Sequence, residues 1–411
     1  MTDTLAPQGE GAVCAPTRLY GVFSCDNSKL FWLVVWTGAL TVVTLGLYRF
    51  WARTRLRRYI WSSITPGGDS FEYTGTGLEK FLGFLIALVV LAVYLGLLQV
   101  VLSFVGFNLW GAISSEPKLP KDILMQMVAT YAAGLAVMPL IFFAQYRARR
   151  YMLSRTRWRG LRFAMDAAAL GYVWRALLYY GMSLVTLGAL MPLATFRLEK
   201  YMTDRMWYGD AGFEQEGQWT ALYPAMKHLF IAAAVLLLGG VVGYLAQSLN
   251  LFVITILVGY LWLFFGFVYY QVESFKYLTA HKLLDGQVRF TSEASAGQVI
   301  GIIGLGLVII TILTFVLGLI FFVLFNVFAT GGGFTGSVLF GALAVGFGYL
   351  AFILLLGAVV TVLISAPTLG HYVDTFSVEN AKPLEQIRQR TGDHIADADG
   401  FADALDIGGA F

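Results

Sequence analysis

Two rows of arginine are the densest chemistry in this chain. Arg49, Arg53, Arg55, Arg57 and Arg58 continue an apolar segment without a break, and Arg147, Arg149, Arg150, Arg155, Arg157, Arg159 and Arg162 follow another. Guanidinium rows recognise phosphate, whether of a nucleic acid or of a lipid headgroup. Their position against the ends of apolar segments selects lipid, because each Lys or Arg near an anionic bilayer surface gains about 1 kcal/mol. The expected partners are therefore membrane lipids with anionic headgroups and not nucleic acid. Arg49, Arg53, Arg55, Arg57, Arg58, Arg147, Arg149 and Arg150 are the candidate lipid-interface residues.

The rest of the polar chemistry is sparse. Gly75 to Lys80 has glycines and a lysine, but not the spacing of a phosphate-binding loop. His228, His281, His371 and His394 lie far apart and make no helical pair of metal ligands. Neither a nucleophile elbow nor a His-Glu-x-x-His motif occurs, and no apolar segment holds a pair of carboxylates for acid–base work. The chain therefore reads as a non-enzyme with no cofactor and no metal. Cys14 and Cys25 read as unpaired thiols. Arg175, inside an apolar segment, is the candidate intramembrane polar residue; its nearness to the segment's start lets it snorkel to the surface. Glu273 and Lys276, three apart, read as an ion pair on one helix face.

The elements that carry these residues are membrane helices. Of 411 residues, 58% are hydrophobic and 13% charged, half the charge usual in soluble domains. Apolar segments of about 20 residues or more, long enough to cross roughly 30 Å of hydrocarbon, fall near 30–48, 80–105, 122–146, 170–195, 221–245, 250–271, 299–325 and 337–365. Residues 1–29 lack the pattern of a cleaved signal peptide, so the first segment is expected to be retained. Both arginine rows are expected in the cytoplasm. The stretch beyond Arg390 holds Asp393, Asp397, Asp399, Asp403 and Asp406 and reads as a solvated acidic tail.

The chain also repeats itself. A shift of 142 positions places Trp32 on Trp174, Thr44-Leu45-Gly46 on Thr186-Leu187-Gly188, Arg55-Leu56 on Arg197-Leu198, Tyr59 on Tyr201 and Phe71-Glu72 on Phe213-Glu214. Residues 32–75 contain twelve such identities in 44 positions, against roughly three or four from composition alone. Thr44, Gly46, Tyr59, Phe71, Thr186, Gly188, Tyr201 and Phe213 are the candidate repeat-motif residues. Weaker echoes stand at Arg149-Arg150-Tyr151 with Phe163 and at Lys276-Tyr277 with Phe290. The unit reads as a membrane helix, a basic extension ending in Tyr, a connector of about a dozen residues and then Phe. In the first connector Pro66-Gly67-Gly68-Asp69 is a turn signal, and Phe71 and Tyr73 alternate with polar residues as in a short strand.

The expected fold is thus all-α, a polytopic transmembrane bundle of about eight spans with internal duplication of a three-helix unit. Its parts are a polar lead-in over 1–29, repeats over 30–165 and 166–296, a partial third unit over 297–380 and the acidic tail over 381–411.

The stretches "TLGLYRFWARTRLRRY", "GGDSFEYTGTG" and "TLGALMPLATFRLEKYMTDRMWYGDAGFE" resemble the YjgN-like family of bacterial inner-membrane proteins, over about Tyr20 to Glu379. That family is catalogued as a domain of unknown function. The resemblance implies a multi-pass protein of the bacterial inner membrane and supplies no catalytic residue. The family pattern has Pro-Trp-Ala after Thr-Leu-Gly, whereas this chain has Phe50-Trp51-Ala52 in one copy and Pro192-Leu193-Ala194 in the other. A proline-supported kink is expected only in the second.

Three helices per unit is an odd number, so two copies are expected to insert upside down relative to each other. Such inverted repeats belong to many secondary transporters, and the leading expectation is a permease or channel-like protein for a small solute or lipid. The alternative is a non-transporting scaffold that organises lipids or partner proteins. A polar cavity at the bilayer midplane distinguishes the first, and a closed glycine-packed bundle the second.

Overall fold

Backbone groups facing hydrocarbon must bond within their own segment, which makes the apolar runs helical. The computed structural model describes residues 18–104, 120–330 and 335–390. Cys14, His394 and the five aspartates of the acidic tail lie outside the described residues. The order of elements is β1 (Arg18–Tyr20), α1 (Asn27–Val43), α2 (Arg49–Ser62), β2 (Phe71–Tyr73), α3 (Gly77–Phe104), α4 (Pro120–Ser154), β3 (Thr156–Trp158), β4 (Leu161–Met165), α5 (Ala169–Val185), α6 (Met191–Thr203), β5 (Met206–Tyr208) and β6 (Ala211–Gln215). A 3-10 segment (Trp219–Met226) then leads into α7 (Lys227–Leu245), α8 (Leu249–Ala280), β7 (Lys282–Leu284), β8 (Val288–Ser292), α9 (Ala296–Thr330), α10 (Thr335–Val360), α11 (Ala366–Asp374) and β9 (Phe376–Glu379).

The chain is not all-α. Nine short strands form one antiparallel sheet in the order β1-β9-β8-β7-β6-β5-β4-β3-β2. Its edges also meet, since Phe23 pairs with Ile64 and the Thr65 amide donates to the Val22 carbonyl at 2.9 Å. The sheet therefore curls round on itself. Leu19, Trp158, Tyr208, Phe213, Leu284 and Val378 fill its inside as one buried cluster, as the interior of a small barrel is filled. Phe71, Phe163, Phe213 and Phe290 lie on β2, β4, β6 and β8. Their rings stack in two series, Phe71 on Trp158 and Phe163, and Phe213 on Phe290 and then Phe376.

The helices leave this sheet in hairpins and come back to it. The pairs are α1 with α2, α5 with α6, α7 with α8, and α9 with α10 and α11, and α3 with α4 through Tyr94 donating to the Ala136 carbonyl and Tyr151 donating to Glu79. The expected eight spans and three-helix unit are corrected accordingly. Among the described residues five helical stretches are long and apolar enough to cross a membrane. α1 and α5, in the first and fourth segments, are not among these five: they have 17 residues each, about 26 Å of helix, and then reverse.

The reversal is built by Thr-Leu-Gly. Thr44 donates its hydroxyl to the Leu40 carbonyl at 2.8 Å, and Gly46 donates its amide to the Thr41 carbonyl at 2.7 Å. Leu45 and Gly46 take φ of 51° and 92°, the left-handed step that ends a helix with its last carbonyls satisfied. The Tyr48 amide then donates to Thr44 Oγ1 at 2.9 Å, so one side chain closes α1 and opens α2. Leu187 and Gly188 repeat this at φ 51° and 88°, with the Leu190 amide donating to Thr186 Oγ1 at 3.2 Å. Hydropathy registers the apolar residues of such a tip but not the change of direction. Arg55 and Arg197 consequently stand at the same end of their hairpins, that of the sheet.

At the end of the sheet away from the helices, the chain after β9 crosses from turn to turn. Asn380 donates to the Gln287 carbonyl at 3.1 Å. Asp210 and Arg388 exchange bonds at 2.9 and 3.0 Å, and the Arg162 amide donates to Gln389 Oε1 at 2.8 Å. With Leu384 buried beneath it, this strap covers the far mouth.

Candidate functional site

The near mouth, beneath the helices, holds the strongest charge cluster of the described residues. Arg149 comes from the end of α4, Glu199 from α6 and Lys282 from the first position of β7. Arg149 grips Glu199 with two parallel bonds of 2.7 and 2.8 Å. Lys282 Nζ lies 3.3 Å from Glu199 Oε1, and Thr203 donates to the same oxygen at 3.2 Å. The three charged side chains are only 20–24% exposed.

Burial alone pushes the Glu199 carboxyl up, but Arg149 and Lys282 beside it outweigh burial and hold it well below the usual carboxylate range. Burial pulls Lys282 down. With both carboxylate oxygens engaged and no second carboxylate in the cluster, Glu199 is a clamp joining α4, α6 and β7. Among the described residues no group of three or more potential metal ligands exists.

Around the clamp, four tyrosines pin returning helices to the start of their outgoing partners. Tyr59 Oη accepts from the Asp26 amide at 3.1 Å, Tyr151 donates to Glu79 at 3.0 Å, Tyr201 donates to the Ala168 carbonyl at 3.0 Å, and Tyr277 accepts from the Gln218 amide at 2.9 Å. In the fifth hairpin His371 Nε2 takes this place, accepting from the Ser295 amide at 2.9 Å. The hairpins are thus stapled at their bases, where the sheet begins.

The arginine rows divide by register. Arg49, Arg55 and Arg58 are exposed on α2, with Arg55 over the Tyr48 ring, and Arg53 is half-buried. Arg147 is half-buried over Phe143, and Arg150 donates to the Met165 carbonyl at 3.0 Å. Arg57 points inward instead. It is 2% exposed, against the Trp61 and Tyr73 rings. Arg149 points inward to Glu199. Both stand two residues before a stapling tyrosine, as Glu199 does before Tyr201. Arg175 donates to the Gly171 carbonyl at 2.9 Å and covers the Tyr201 ring, so its charge is directed toward the base of α5. Glu72 and Glu214 face outward on the sheet, and Cys25 is a free thiol.

A cavity of about 650 Å³ opens beside the clamp, between α6, the end of β6 and the 3-10 segment, lined by Arg197, Lys200, Gln215, Glu216 and Trp219 among others. Two further cavities lie higher among the helices. One, of about 350 Å³, is lined by His228, Trp262, Phe265 and their neighbours, and the other, of about 570 Å³, by Leu187, Met226, Phe230, Phe264 and theirs. Apart from His228, their walls carry no ionisable side chain but tyrosine.

Comparison with known families now bears on this arrangement. Residues 18–327, from β1 almost to the end of α9, match the model of a family described as bacterial protein of unknown function, DUF898. The chain belongs to this family. It is 33% identical over 90 residues to the inner membrane protein YjgN of Salmonella typhimurium strain LT2, covering 22% of this chain and 23% of that one. It is 24% identical over 153 residues to the inner membrane protein YjgN of Escherichia coli O157:H7, covering 37% and 32%. These matches span no more than a third of those relatives' lengths. The likeness read in the Thr-Leu-Gly and Gly-Gly-Asp stretches is thus a family relationship, and with its membrane-length helices this DUF898 chain is an inner-membrane protein. No solved structure matches it.

Proposed function

We propose that the chain is a non-transporting scaffold of the inner membrane, a basic platform at the cytoplasmic surface that engages lipid headgroups and holds helical hairpins of two depths in the bilayer. The observation that carries this reading is the return of every hairpin to one sheet whose inside is packed with aromatic side chains. The permease expectation rested on inverted three-helix units, and helices paired two by two remove that basis.

Charge supports the same reading. No Asp, Glu, Lys or Arg occurs in 81–104, 123–146, 229–272 or 296–373, so the long helices lack the carboxylates and the lysine or arginine cations on which ion coupling usually relies, and Arg175 of the short α5 is directed to the base of that helix. The reversal tips end in Leu45 and Leu187, 95% and 96% exposed. An apolar tip on a 17-residue arm enters one leaflet only. Positive residues gathered at the sheet side orient it to the cytoplasm.

Arg55 and Arg58, exposed on α2 above the sheet, are the headgroup contacts of this platform. Each contributes about 1 kcal/mol at an anionic surface, so Arg55→Gln with Arg58→Gln is expected to weaken binding of short-chain phosphatidylglycerol to the purified protein by about thirtyfold. Vesicles containing the wild-type protein should release trapped ions and small solutes no faster than protein-free vesicles. Saturable solute flux through the protein would overturn the reading.

A further inference from the structure

The cavity between α6, β6 and the 3-10 segment lies where the sheet gives way to a membrane-length helical stretch. Trp219, on its wall, is the residue at which the membrane-length stretch Trp219–Leu245 begins, and Gln215 at its floor is the last residue of β6. Its charges are of both signs and in different states. Lys200 is engaged, 3.1 Å from Asp204 Oδ2 and donating to the Gln215 carbonyl. Arg197 and Glu216 are exposed, and among the described residues neither side chain has a hydrogen bond or ion pair. Next to them Gln215 is 1% exposed, and its side-chain NH₂ donates toward the Leu278, His281 and Glu216 carbonyls. Gln215 Oε1 has no donor. An acceptor left unmet in a buried side chain costs about 1–3 kcal/mol.

We propose that this cavity binds the headgroup of a zwitterionic ethanolamine phospholipid, its phosphate on Arg197 and its ammonium on Glu216. A guanidinium suits the phosphate. A primary ammonium brings three donors for the carboxylate. A trimethylated ammonium has no N–H for it, and a headgroup with only negative charge meets the Glu216 carboxylate unfavourably. The volume lies in the range of small-ligand sites, about 300–1,000 Å³. Phe196 and Trp219 on the wall give the glycerol end of a lipid an apolar surface at the bilayer rim, which a free phosphoethanolamine has no means to use. This site shares the platform's placement at the membrane surface but not the arginine row of α2, so it stands or falls separately from it.

The test uses the full chain in detergent with dihexanoyl-phosphatidylethanolamine, -phosphatidylglycerol and -phosphatidylcholine as calorimetric probes. The wild type is expected to bind the ethanolamine lipid about tenfold more tightly than either of the others. Arg197→Gln should lower that affinity by a similar factor. Glu216→Gln should erase the preference over phosphatidylglycerol while Glu216→Asp keeps part of it, and both charged positions are exposed, so melting temperatures should not move. Arg55→Gln with Arg58→Gln should leave ethanolamine binding unchanged. Equal binding of ethanolamine and glycerol lipids by the protein carrying Arg55→Gln and Arg58→Gln, in which the α2 row no longer adds glycerol-lipid binding, overturns the proposal, as does a Glu216→Gln protein that keeps the preference. Equal affinity for free phosphoethanolamine overturns the lipid assignment.

Discussion

Glu199→Gln is expected to cause the largest loss of stability of any single substitution at the sheet. The change keeps the side chain's size and removes its charge, leaving Arg149 and Lys282, both mostly buried, as two cations facing a neutral amide. Removing one partner of such a buried pair costs roughly 3–5 kcal/mol, because the remaining charge stays out of water without compensation. Adding Lys282→Met to Glu199→Gln should restore part of the loss, since one excess cation is gone. Lys282→Met alone should cost less than Glu199→Gln, as the two-bond Arg149–Glu199 pair survives.

The effect has a pH signature. The folded protein holds the Glu199 carboxyl below its ordinary value, so its stabilisation is fully present above the unfolded carboxyl's pKa of about 4.3. It is lost as pH falls from there toward the folded value. The gap between wild type and Glu199→Gln should be constant near neutrality and close in acid. Lys282, lowered by burial, adds stability only as pH rises toward the range of a free lysine. Heat-challenge size-exclusion profiles across pH measure both. A gap unchanged in acid would mean that Glu199 acts through packing and not through charge.

Glycine packing between α7 and α8 carries the second large effect. A Cβ placed on Gly243 falls 2.9 Å from the Phe252 Cα and 2.8 Å from its Cβ. Those atoms are backbone or fixed to it, so Gly243→Leu must push the two helices apart. Small residues that let helices approach are what holds membrane hairpins together, and overpacking of this kind costs roughly 1–3 kcal/mol. Gly259→Ala should be milder, because its closest contact is the end of the Leu236 side chain, which can rotate away. Gly240→Leu is the control, with no atom within 4 Å of its Cβ position. Thermal stability in detergent should fall in the order Gly240→Leu, Gly259→Ala, Gly243→Leu. Equal loss at Gly240 would mean that the helix surface, and not the α7–α8 contact, determines the effect.

The recurring tyrosines and phenylalanines were legible as a repeating pattern, and the structure gives those positions consistent places: tyrosines at the hairpin bases, phenylalanines on alternate strands. The sheet was not legible, because its strands are three to five residues long and too short for alternation to register. Only the first connector, through Phe71 and Tyr73, read as extended. The strands are defined by partners far along the chain, such as Phe213 with Leu284 and Leu19 with Val378. Direction was lost at Thr44 and Thr186, since an apolar tip scores the same whether the helix crosses or turns. Glu199 does not stand out by type among the charges of Arg197 to Arg205. Its signal was available in register, as the 142-residue shift lays it on Arg57, and both stand two residues before the tyrosine that ends the unit.

The claim on which the account rests is that all strand turns lie on one side of the membrane. Single cysteines at Gly68, Asp210 and Asp285, in a chain freed of Cys14 and Cys25, place a reporter near β2, between β5 and β6, and between β7 and β8; a fourth at Gln247 marks the turn between α7 and α8. The account predicts that a membrane-impermeant thiol reagent labels the first three only from the cytoplasmic face and Gln247→Cys only from the opposite face. Labelling of positions 68 and 210 from opposite faces would contradict the one-sided sheet and restore the inverted arrangement that the scaffold reading replaces.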